Sequence, residues 1–137
     1  MSIADIGRFK PNSFDTVIMM GNNFGLFGGY KEARARLRNL HRITSAKGLI
    51  IAESLDPYKT DDPVHRAYHR RNRRRRRMSG QVRMRIRHGT IVGNWFDYLL
   101  VSQEEMKAIV EGTGWQVASI LGDSGPAYSA LLRKEEP

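Results

Sequence analysis

The chain contains no cysteine, which excludes disulfides and thiolate zinc centres. It also lacks long apolar runs: a stretch such as Val17 to Met20 is far short of the roughly 20 residues a membrane-spanning helix needs. The first residues do not follow the basic-then-apolar plan of a secretion signal. These absences predict a soluble, cytoplasmic protein. A third absence is local. From Pro63 through Phe96 there is no Asp or Glu, while the same segment holds 11 arginines and the histidines His65, His69 and His88.

A length of 137 residues suits one domain better than two. With 40% apolar and 9% aromatic residues there is material for a packed core despite a net charge of +9. Setting the 11 arginines aside leaves 12 basic against 14 acidic residues. The charge therefore resolves into a body near −2 and one segment at +11, and it bears on the partner of that segment rather than on the core.

Asn12-Ser13 signals a turn, and the β-branched and apolar run from Phe14 to Met20 predicts a strand buried on both faces. The glycines and asparagines of Gly21 to Gly29 predict a loop at its end. From Tyr30 to about Thr44, Ala33, Leu37, Leu40 and Ile43 recur at helical spacing between basic residues, which predicts an amphipathic helix ended by Ala46-Lys47-Gly48. Leu49 to Glu53 reads as a second buried strand, completing a parallel βαβ unit. Past Pro57 and Pro63 comes the basic segment. Val82, Met84 and Ile86 alternate there with Arg83, Arg85 and Arg87, the period of a strand with an arginine face. Gln81 to Val101 is expected to form an antiparallel hairpin. Ser102-Gln103-Glu104-Glu105 has the pattern of a capping box opening a helix that Gly112 and Gly114 stop. Trp115 to Leu121 and Tyr128 to Leu132 read as antiparallel strands around a Gly122 to Pro126 turn.

The run Asn12-Ser13-Phe14-Asp15-Thr16-Val17, then Gly21-Asn22-Asn23-Phe24-Gly25, Gly48-Leu49-Ile50-Ile51, the helix from Ser102, Gly112-Thr113-Gly114-Trp115 and the closing strand pair resemble the second half of a class I S-adenosylmethionine-dependent methyltransferase. The resemblance implies an α/β fold: a partial Rossmann-like sheet, equivalent to strands four to seven, with an inserted basic helix and β-hairpin. Residues 1–59 would begin the core, 60–101 form a basic substrate cap, and 102–137 complete the core. The cofactor implied is S-adenosylmethionine, and the activity is methyl transfer to an unidentified acceptor. The glycine-rich loop that cradles the cofactor is not found in this sequence. The expectation is therefore a truncated, C-terminal part that is not competent by itself. Its strand Phe14 to Met20 would then be an open edge, predicting a homodimer or pairing with a separate N-terminal half.

Gly21, Asn22, Asn23 and Phe24 are the candidate cofactor contacts, because ligands of open α/β sheets bind at the carboxyl ends of strands. Small residues there admit a sulfonium, and an Asn carbonyl or a Phe face favours a positive centre. The alternative is an ordinary glycine-rich connection. Glu53, Asp56 and Tyr58 could orient an acceptor or take its proton, or Glu53 could serve local pairing. His65 and His69 have i, i+4 spacing, yet among so many arginines a divalent cation would be repelled, so no metal is expected. The arginine segment has three readings. It could bind RNA or another phosphate-rich partner, with Tyr68, Trp95 and Phe96 as stacking surfaces. It could hold an anionic small substrate through Arg83, Arg85 and Arg87. It could also be a solvated cover of the site. A non-enzymatic basic α/β module that binds RNA is the alternative function.

Overall fold

The computed structural model describes residues 2–122 and 124–137. After a short 3-10 helix, Ile3–Arg8, strand β1 (Phe14–Met19) leads through a second 3-10 turn, Asn23–Phe27, into helix α1 (Tyr30–Ile43) and strand β2 (Thr44–Leu55). Helix α2 (Pro63–Arg74) follows, then strands β3 (Gln81–Met84), β4 (Arg87–His88), β5 (Ile91–Val92) and β6 (Phe96–Leu99). Helix α3 (Gln103–Val110) and strands β7 (Trp115–Leu121) and β8 (Ala127–Lys134) close the chain. Asp123, in the expected Gly122 to Pro126 turn, lies outside the described residues.

The main sheet has the order β1-β2-β8-β7. β1 and β2 are parallel, with Val17, Ile18 and Met19 opposite Ile50, Ile51 and Ala52. β8 is antiparallel to both β2 and β7. The buried stripe of α1 is the one the spacing predicts, Ala33, Leu37, Leu40 and Ile43, and it packs against β2 and α3. The Ser102 side chain accepts from the Glu105 amide at 3.1 Å, and Glu105 accepts from the Ser102 amide at 3.0 Å. The capping box thus satisfies donors that the first turn of α3 leaves open. The core comprises Phe24, Phe27, Leu37, Ile50, Leu99, Met106, Ile109, Trp115 and Leu132, with their neighbours.

Three local expectations change. β1 is not buried on both faces: Met19 is buried, but Ile18 is 66% exposed and Met20 is 45% exposed. β1 lies at the sheet edge, while α1 and α3 pack against each other and against β2 and β7. Ala46-Lys47-Gly48 does not end α1. The helix stops at Ile43, where the Thr44 hydroxyl donates to the Leu40 carbonyl at 2.7 Å, and residues 45–48 form an irregularity in β2 between the Phe14–Thr44 and Thr16–Leu49 pairings. Gly48 is needed there because a Cβ would come within 2.7 Å of Thr44 Cβ and 2.9 Å of the Ser45 carbonyl oxygen. Finally, β3 ends at Met84, and Ile86 is 67% exposed. The alternation correctly marks a strand, but its apolar side is only half-buried at Val82 and exposed at Met84 and Ile86.

The basic insertion is a helix and a hairpin standing on the carboxyl end of β2. Asp62 caps α2 by accepting from the Val64 amide at 2.8 Å, with Pro63 at the first helical position, where its missing N–H costs nothing. β3 pairs antiparallel with β6, and β4 with β5 farther out along the same hairpin.

Candidate functional site

At the carboxyl ends of β1 and β2 the chain is pinned by side chains from distant positions. The Gly21 amide donates to Glu53 Oε2, so Glu53 of β2 holds the residue that leaves β1. The Tyr98 hydroxyl, from β6 of the insertion, donates to the Asn22 carbonyl. Burial, then the nearby Glu53 carboxylate, raises the Tyr98 pKa above its usual value, which keeps the hydroxyl a donor. The Tyr98 ring lies so close to Gly25 that any Cβ there would overlap it.

The four predicted cofactor contacts have separate fates. Gly21 has φ +67°, with open space where a Cβ would sit. Asn22 is also left-handed, at φ 61°, and its Oδ1 is buried without a hydrogen-bond partner. Asn23 is exposed. Phe24 is fully buried, its ring packed edge-on against Phe27 at 5.1 Å between centroids. Its aromatic face is therefore committed to the core rather than presented beside the asparagines.

The predicted acceptor residues fall into four places. Glu53 belongs to the pinned loop. Tyr58 stands near α3, where its hydroxyl donates to Glu105 Oε2 at 3.1 Å and its ring centroid lies 6.3 Å from that of His69. Burial raises the Tyr58 pKa, while burial followed by the Arg73 charge lowers that of His69, so His69 is disposed to stay neutral. Tyr68 and Arg83 come together: the Tyr68 hydroxyl accepts from the Arg83 amide at 3.0 Å. Arg85 and Trp95 form a separate outer pair, with the guanidinium 4.7 Å from the ring centroid. Among the described residues no group of three His, Asp or Glu side chains is arranged to hold a metal. No helix among them is long and apolar enough to cross a membrane.

Sequence reasoning missed Asp97 and Tyr98. Asp97 accepts from Arg77 Nη2 at 2.9 Å and lies 3.5 Å from Arg83 Nη1. Its burial alone would raise its pKa, but the Arg77 hydrogen bond and charge, with help from Arg83 and Gln81, hold it below the usual carboxylate value. One signal was available: Asp97 is the first acid after the long arginine segment. Tyr98 carried no comparable signal, since its partner is 76 residues away.

A methyltransferase from Bacteroides fragilis, solved with S-adenosylhomocysteine, matches 93% of this chain over 50% of its own at a TM-score of 0.72 and 21% identity. One from Methanosarcina mazei matches 92% over 61% of its chain at 0.66 and 12% identity. The Burkholderia thailandensis 1,6-didemethyltoxoflavin N1-methyltransferase matches 96% over 48% of its chain at 0.55 and 10% identity. The fold is that of the S-adenosylmethionine-dependent methyltransferases. The chain spans about half the length of the first of these structures and less than two thirds of the second. By sequence, no family model and no curated protein matches.

Proposed function

We propose that this chain is the C-terminal, acceptor-side part of an S-adenosylmethionine-dependent methyltransferase. The observation that carries the reading is the sheet order β1-β2-β8-β7, parallel then antiparallel, with the β1 loop and the basic insertion gathered at the same end. The match to half of a cofactor-product complex supports it.

The residues at the end of β1 fit such a cofactor. Gly21 leaves room for close approach, and Asn22 Oδ1 is a buried acceptor with no partner, suited to a positively charged group. Gly21, Asn22 and Asn23 would hold it, while Phe24 anchors their loop in the core. Bound there, S-adenosylmethionine supplies an electrophilic methyl group that an acceptor lone pair takes by in-line displacement as the carbon–sulfur bond breaks. The protein's part is mainly alignment: Glu53 and Tyr98 fix the loop on which the donor rests. The same reading gives β1 a partner, a strand from a separate N-terminal half or from a second copy. That strand would cover the edge beside Ile18, and native proteins seldom leave such an edge bare.

The test is an NMR titration of the full chain with S-adenosylhomocysteine. Weak saturable binding, about millimolar, is expected to move the amides of Gly21, Asn22 and Asn23, and Asn22→Leu should abolish it. Absence of any saturable shift at those amides counts against the reading. Light scattering should show self-association through β1, or association with an added N-terminal half; a monomer that binds neither removes the pairing.

A further inference from the structure

The last turn of α2 and the start of β3 build a cavity that the β1 loop does not use. Tyr68, Arg71, Asn72, Arg75, Arg77 and Arg83 line about 220 Å³ of space. Four guanidinium groups therefore share one concavity, and Asp97 is the acid that meets them, pairing with Arg77 and Arg83. Among the described residues, no ion pair joins Arg71 or Arg75 to an acid. Arginines in a final helical turn are explained by the helix dipole, but Arg83 comes from β3 and lines the same cavity. The scaffold is fixed. Asn72 is buried, and its amide donates to the Ser79 carbonyl at 2.9 Å and the Gln81 carbonyl at 3.0 Å, tying α2 to β3. Arg71, Arg75 and Arg83 are exposed, so water and salt screen part of their mutual repulsion, and an anion entering the cleft would relieve the rest.

A second, mainly apolar cavity of about 430 Å³ adjoins it, and Tyr68 lines both. Its apolar walls are Leu55, Pro57, Val64, Val82 and Leu100, so it opens at the carboxyl end of β2. Because the Tyr68 hydroxyl accepts from the Arg83 amide, the residue common to the two cavities is held in place.

We propose that the α2–β3 cleft binds an organic anion, its phosphate or carboxylate seated among Arg71, Arg75, Arg77 and Arg83 and its apolar body laid across the Tyr68 ring toward Val82 and Leu55. Taking this anion as the methyl acceptor rests on the function proposed above; the binding does not. The concavity favours a small ligand over a polynucleotide, whose phosphates would engage the outward arginines such as Arg70 and Arg74 equally.

The experiment is calorimetry and thermal shift on the full chain with inorganic phosphate, phenyl phosphate and benzoate, each against sodium chloride at matched ionic strength. Phenyl phosphate is expected to bind about tenfold or more tightly than inorganic phosphate, because the ring adds buried apolar area. Arg71→Gln combined with Arg75→Gln should weaken both by about tenfold or more. Arg70→Gln with Arg74→Gln removes the same charge outside the cavity and should leave affinity unchanged. Val82→Asn should erase the preference for phenyl phosphate while sparing inorganic phosphate. Whichever of phenyl phosphate and benzoate binds more tightly identifies the head group. No binding beyond the chloride control overturns the proposal, as do equal losses from the two double variants, or steeply salt-dependent binding of a short RNA that phenyl phosphate cannot displace. Anion binding without S-adenosylhomocysteine binding would keep the cleft and sink the methyltransferase reading; the reverse result would do the opposite.

Discussion

In the sheet body, Trp115, Phe24, Leu37, Ile50 and Met106 are wholly buried, whereas between Thr60 and Phe96 the buried residues are Asn72, Ser79 and Gly80. The body is held by apolar area removed from water, the insertion by hydrogen bonds and by Asp97 between Arg77 and Arg83. Polar scaffolding of this kind contributes little net stability per contact but is costly to break, and regions with few buried apolar groups open first. On this difference the insertion is the region expected to open before the sheet body.

The contrast can be broken by experiment, beginning with the largest effect. Trp115 is fully buried and its indole donates to the Leu37 carbonyl at 2.9 Å. Trp115→Ala should cost about 3–5 kcal/mol in urea unfolding; a loss below about 1 kcal/mol would show that the body does not depend on this core. Asn72→Ala orphans two carbonyl contacts and should cost about 1–3 kcal/mol. In hydrogen exchange that loss should deprotect α2 and β3 and leave β2 and β8 protected; uniform deprotection would mean the two regions unfold as one.

A smaller effect concerns acid. Asp97 has a folded pKa below its unfolded one, so its contribution is complete above the ordinary carboxylate value and is lost as pH falls through the lower folded value. Thermal melts of the wild type should therefore fall on acidification through that window, and Asp97→Asn should fall less. Equal slopes would show that the Arg77 pairing does not hold the insertion. Smallest of all, Arg85→Ala removes a guanidinium over the exposed Trp95 ring and should cost about 0.5–1 kcal/mol. A larger loss would place the outer hairpin in the structural core of the insertion.

Much of the fold was legible because its signals are local. The i, i+3/i+4 stripe of α1, the Ser102–Glu105 box and the alternation around Arg83 need only neighbours in sequence, and the structure shows each of them. Less of the candidate site was legible. The positive-φ loop at Gly21 could be read from its glycines and asparagines. The burial of Phe24 could not, because an aromatic beside a glycine loop has the same pattern whether it faces solvent or the core. The convergence of Arg71, Arg75 and Arg83 depends on how β3 folds back on α2, which the arginine count does not encode.

By itself the sequence determined the main helices and strands and their order, and the division of charge between a near-neutral body and one basic segment, since periodicity, caps and composition are properties of short stretches. Only the tertiary structure decided that one face of β1 is bare, that residues 45–48 bend β2, and that Tyr98, Asp97 and the arginines meet where they do. Period-two alternation says which residues share a face of a strand. Whether a layer lies on that face is settled by contacts between residues far apart in the chain.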